Sequence, residues 1–122
     1  MQRAAQAYGR VAKQTSAPRE LEANLLLKAA AQFQAISETW EHGKAELNDA
    51  LLFNRKLWTI FLTSVTSDES QLPIEVRQNV ANLGLFVLNQ TLAVTGDPQP
   101  ERLGPLININ RQIAAGLLAR AA

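Results

Sequence analysis

The stretch that decides the fold is residues 44–67, KAELNDALLFNRKLWTIFLTSVTS, in which apolar side chains return every three or four positions. That period is typical of an amphipathic helix. The main apolar stripe consists of Leu47, Leu51, Trp58, Leu62 and Val65. A second stripe, on nearly the opposite side, consists of Phe53, Leu57 and Ile60. The segment therefore carries more apolar surface than an ordinary outer helix of a bundle can hide.

The same helical period continues on both sides of this segment, and turn signals divide the chain into about five parts. Helices are predicted over about residues 3–13, over 18–42, from Leu72 to the turn at 96–100, and after Pro105. The first is short and would be marginal in water alone, so it must dock on something to be ordered. No part reads as a strand. The sequence predicts an all-α fold, with residues 1–122 forming one small helical-bundle domain.

The helix predicted from Leu72 also has two apolar stripes. The main one is Val76, Val80, Leu83, Val87 and Val94, and the second is Ile74, Ala81, Leu85, Leu88 and Leu92. In one interpretation the two-faced helices lie in the middle and other helices cover both sides. In the other, part of the second stripes lines an exposed groove for a partner's amphipathic helix. The candidate partner-binding residues are then Phe53, Leu57, Ile60, Leu85 and Leu88.

Two glycines have predicted roles in the helices. Gly43 follows the helix over 18–42 and is a natural left-handed C-terminal cap. Gly84 lies inside a predicted helix, where glycine costs about 1 kcal/mol relative to alanine. We expect Gly84 to allow close packing against the two-faced helix over 44–67.

The composition gives little support for catalysis. The chain has no cysteine and one histidine, His42, placed at a predicted helix end where a partly charged ring suits the helix dipole. Its six glycines form no phosphate-binding motif. Acid–base or metal chemistry would need partners that His42 lacks. We therefore expect a protein that is not an enzyme and that has no cofactor and no metal.

Charge and hydropathy limit the classes of partner that we expect. The net charge is +1, and the basic residues are scattered, so no direct nucleic-acid contact is expected. No signal-peptide pattern opens the chain, and no stretch approaches the ~20 apolar residues of a membrane span. We expect a cytoplasmic protein that binds another protein and does not insert into membranes.

The order and spacing of several segments resemble the FlaF family of flagellar biosynthesis regulators. The central part reads Leu57-Trp58, then Leu72-Pro73 with Arg77 one turn on, then residues 83–87, LGLFV. The C-terminal run over residues 106–117, LININRQIAAGL, is similar to the family's closing signature. Ala7-Tyr8 and the run PRELE over residues 18–22 also look like FlaF. Asn108 departs from the family, which often carries aspartate there.

The resemblance implies a bacterial flagellin-binding secretion chaperone that also regulates flagellin synthesis. FlaF-like proteins act with and against FlbT, which binds flagellin mRNA and represses its translation, so FlbT is a second candidate partner. Flagellin's terminal regions are amphipathic helices whose apolar faces a helical chaperone could cover. The alternative is a post-transcriptional regulator that contacts flagellin mRNA directly.

Overall fold

The computed structural model describes residues 18–68, 70 and 72–121. The five α-helices in this part of the chain are α1 (Pro18–Glu38), α2 (Trp40–Gly43), α3 (Leu47–Thr66), α4 (Ile74–Gly96) and α5 (Gly104–Ala121). Short 3-10 turns at Lys44–Glu46 and Pro100–Leu103 precede α3 and α5. No strand occurs in the described ranges, and the all-α prediction is confirmed. The helix predicted over residues 3–13 lies outside them.

Helix α1 is the centre of the core. It packs most extensively against α5 and also contacts α3 and the turn at Pro100–Leu103, whereas α4 packs mainly on α3. Four small side chains, Ala23, Ala29, Ala30 and Ala114, are buried on α1 and α5, as close approach of two helices requires. The largest fully buried apolar side chains are Trp58, Phe33, Leu26, Leu103, Leu106, Val87 and Val94.

A chain of buried side-chain hydrogen bonds joins α3 to α5. The indole Nε1 of Trp58 donates to Oδ1 of Asn110 at 2.8 Å, and Nδ2 of Asn110 donates to Oδ1 of Asn54 at 2.7 Å. All three residues are completely buried. The Trp58 ring also meets Phe61 edge to face, with 5.5 Å between ring centres. This network fixes how α5 sits against α3, because any other alignment would leave buried polar groups unpaired.

The left-handed cap predicted at Gly43 is wrong. The residue has φ −83° and ψ −19°, which is ordinary right-handed helical geometry. The helix instead breaks at Thr39 and restarts as α2. Gly43 is buried, and a Cβ there would lie 3.0 Å from the Ile36 Cα. Glycine is therefore favoured at this position, because α2 folds closely onto the end of α1.

The prediction for Gly84 is confirmed. A Cβ added at this position would lie 2.5 Å from Cδ2 and 2.8 Å from Cγ of Leu62, distances that real side chains do not tolerate. The missing side chain lets α4 lie close against α3, with Leu62 seated over the glycine.

Candidate protein-binding surface

One side of α4 exposes an apolar stripe. Its members, here called the α4 face, are Ile74, Ala81, Leu85, Leu88 and Leu92, which share one side of the helix through steps of seven, four, three and four residues. The exposed fractions of Ile74, Leu85 and Leu92 are 65%, 61% and 68%. Phe86 is 45% exposed but lies about 100° around the helix from Leu85, outside the α4 face. Large apolar side chains clustered this way on one helix are typical of a protein-binding surface.

Beyond Arg77, no charged residue of α4 accompanies the α4 face. Between Arg77 and Asp97 the sequence contains no charged residue, and the exposed polar positions there are mostly Asn and Gln. Solvated helix surfaces usually carry Lys, Glu or Arg. A partner would therefore be held through apolar contact and amide hydrogen bonds rather than through ion pairs.

Two contacts with α3 fix α4 in place. The first is the close packing of the Leu62 side chain against Gly84. The second involves Arg77, whose Nε donates to the Val65 carbonyl at 2.8 Å and whose Nη2 donates to the Thr66 and Ser67 carbonyls at 3.2 and 3.1 Å. A guanidinium at a helix C-terminus satisfies carbonyls that lack intrahelical partners and suits the helix dipole.

A third contact holds the other end of α4. Nε2 of Gln90 donates to the Arg102 carbonyl at 2.8 Å, which ties α4 to the turn at Pro100–Leu103. The Arg102 guanidinium in turn pairs with Asp97 at 3.0 Å, just after α4 ends. The exposed stripe is thus carried on a helix fastened near both ends.

The structure divides the five candidate partner-binding residues among three places. Leu85 and Leu88 lie on the α4 face, exposed and half-buried respectively. Leu57 is in the core at 8% exposed. Ile60 is 65% exposed, but it stands two residues before Leu62 and so points nearly away from α4. Phe53 lies on the same side of α3 as Ile60. The five residues do not meet in one groove, and their binding role stays a prediction.

A separate groove lies between α1 and α3. This α1–α3 groove has a volume of about 520 Å³ and is lined by Lys28, Gln32, Ala35, Ile36, Glu46, Asp49, Ala50 and Phe53. Nζ of Lys28 stands 5.7 Å from the centre of the Phe53 ring, at cation–π distance. Oε1 of Gln32 is buried, and no donor in the described part of the chain reaches it. Two carboxylates, Glu46 and Asp49, stand on the α3 side.

The sequence predicts all five members of the α4 face as the second stripe of this helix. It does not identify Phe86, which belongs to neither stripe and is exposed on another side of α4. The α1–α3 groove has no signal in the sequence, because its walls come from two helices whose alignment is set by tertiary packing.

Two further observations concern the described residues only. None of their helices is long and apolar enough to cross a membrane. Nor does this part of the chain bring together three acidic or histidine side chains that could hold a metal ion. His42 is exposed at the end of α2.

A family model described as flagellar protein FlaF matches residues 4–117, nearly the whole sequence. No curated protein and no solved structure gives a significant match. The matched span includes α4 and its exposed face, Arg77 and the buried network at Asn110. The chain therefore belongs to the FlaF family of flagellar proteins.

Proposed function

We propose that this flagellar protein is a cytoplasmic, non-catalytic chaperone that binds flagellin before its export and regulates flagellin synthesis together with, and in opposition to, FlbT. The observation that carries the proposal is the exposed, uncharged α4 face. A chaperone for amphipathic helices needs an apolar surface that is open when no partner is present.

The size of the α4 face suits one helix. Ile74 and Leu92 are 18 positions apart, so the stripe is about 27 Å long at 1.5 Å per residue. A flagellin terminal helix of about five turns would match that length and could bury its apolar side against Leu85 and Leu92. Covering such a face keeps unexported monomers from associating through it.

Binding to monomeric flagellin, measured by calorimetry and size exclusion, tests the proposal. We expect a complex at micromolar concentrations, and its absence at tens of micromolar would exclude the chaperone role. Leu85→Asp with Leu92→Asp should abolish the complex while circular dichroism shows an unchanged fold. Leu52→Asp is the matched control, since Leu52 is an exposed leucine on α3 and 44% accessible.

The salt dependence of binding separates this proposal from direct contact with flagellin mRNA. An interface formed mainly by the uncharged part of α4 should keep most of its affinity when the salt concentration rises, because few ion pairs are present to be screened. An RNA complex held by phosphate contacts would weaken steeply over the same range. A gel shift with the flagellin leader RNA at physiological salt completes the comparison.

A further inference from the structure

We propose that the α1–α3 groove is the docking site for the chain's own N-terminal segment, residues 1–17, with Tyr8 seated beside Gln32. The inference does not rest on the chaperone role. The groove is on the side of α3 that carries Phe53, half a turn away from Leu62, which faces α4.

The lining of the groove indicates what kind of segment could bind there. Ile36 and Phe53 offer apolar surface, and the buried Oε1 of Gln32 needs a donor. Glu46 and Asp49 add two negative charges on the α3 side, against one positive charge from Lys28 on the α1 side. The fitting occupant is an apolar segment with a hydroxyl or N–H donor and with basic side chains at its edges.

Residues 1–17 have this character. They contain three basic residues, Arg3, Arg10 and Lys13, and no acidic one. The apolar side of the helix predicted over 3–13 is formed by Ala4, Tyr8 and Val11. The ring of Tyr8 is suited to pack on Phe53, and its hydroxyl can donate to Gln32. The basic side chains then complement Glu46 and Asp49.

The length of the segment also fits. Gln32 lies 14 residues into α1 from Pro18, which is about 21 Å along the helix. Tyr8 is ten residues before Pro18, and ten residues can span at most about 33 Å. The segment is therefore long enough for Tyr8 to reach the level of Gln32 and for Ala4 to reach that of Ala35 and Ile36.

The cysteine-free sequence allows a direct test in the full chain. Ala4→Cys is combined with Ala35→Cys at the rim of the groove or, as a control, with Leu85→Cys on the α4 face. Under mild oxidation of dilute protein, we expect the groove pair to form an intramolecular disulfide many-fold faster than the control pair. Equal rates would overturn the proposal. A covalent dimer would also overturn it, since the occupant would then be a second copy.

A second test uses NMR spectroscopy and does not depend on forming a cross-link. In two-dimensional NMR spectra, Tyr8→Phe should shift the side-chain amide signals of Gln32, because this variant lacks the hydroxyl that donates a hydrogen bond to Oε1. Tyr8→Ala should in addition shift the Phe53 amide and slow the cross-linking of the groove pair. Unchanged Gln32 and Phe53 signals in both variants would contradict the docking, whether or not flagellin binds.

Discussion

The indole Nε1 of Trp58 donates a 2.8 Å hydrogen bond to Oδ1 of Asn110, 52 residues further along the chain, with both side chains fully buried. Asn110 also donates to Asn54, whose own Nδ2 is buried without an acceptor among the described residues. One amide thus satisfies two groups on α3. Buried polar groups are costly when unpaired, so the three residues do not contribute equally to stability.

Asn110→Leu should lower the free energy of unfolding by about 2–4 kcal/mol, because it leaves the Trp58 N–H and the Asn54 Oδ1 unpaired. Asn54→Leu should cost less, since it removes an amide that already has an unpaired donor. Urea unfolding followed by circular dichroism measures both. Asn108→Leu is the control on the exposed side of α5 and should change stability by less than about 0.5 kcal/mol. Equal losses in the two buried variants would contradict this interpretation.

Arg77→Ala should destabilise the fold by about 1–3 kcal/mol, because three carbonyls at the end of α3 lose a charged donor. Arg77→Lys should recover only part of the loss, since an ammonium cannot reproduce the guanidinium fork. Thermal unfolding at low and high salt checks the prediction, with Arg111→Ala, an exposed arginine on α5, as the reference. Full recovery by lysine would show that charge alone matters there.

Gly84→Ala should destabilise the protein even though alanine is the better helix former by about 1 kcal/mol. The added methyl group collides with Leu62, and overpacking of this kind costs about 1–3 kcal/mol. In a Leu62→Ala background the same change should become stabilising, because the space opposite the glycine is open. The unfolding free energies of the four proteins form a double-mutant cycle. Additive effects would argue against the close contact.

Leu57 and Ile60 belong to the same apolar stripe of α3, but Leu57 lies in the core and Ile60 is exposed. Leu57→Ala should cost about 2–5 kcal/mol through the cavity it leaves. Ile60→Ala should stay within about 0.5 kcal/mol, because its side chain already meets solvent. Chemical unfolding of the two variants distinguishes them. A large loss at Ile60 would mean that a part of the chain outside residues 18–68, 70 and 72–121 covers it.

The helical period made much of the fold predictable. The main stripes of α3 and α4 do face inward, and Gly84 does mark a close helix contact. The period could not show the break at Thr39. Nor could it show that Gly43 packs against Ile36 and does not form a left-handed cap. It also could not identify Asn54 and Asn110 as core residues, since polar side chains at inward positions are recognised only when their partners are known.

The candidate surface was predictable on α4 and less so on α3. A stripe shows which residues share a side of a helix, but not what lies opposite. The buried arc of α3 is wide enough to include Leu57 and leaves Ile60 outside. On α4 the packed side, with Val80, Gly84 and Val87, is narrow, so the second stripe remains open.

The hydrogen bonds of Arg77 to the end of α3 affect the rate at which a partner associates with the α4 face. Because α4 cannot separate from α3 without breaking the hydrogen bonds of Arg77 to three carbonyls, its apolar stripe is preorganised before any encounter. No folding step of α4 then precedes docking, and association should proceed at the ordinary rate of rigid-body encounter, about 10⁵–10⁷ M⁻¹s⁻¹. Weak and strong ligands of the α4 face should therefore differ mainly in residence time.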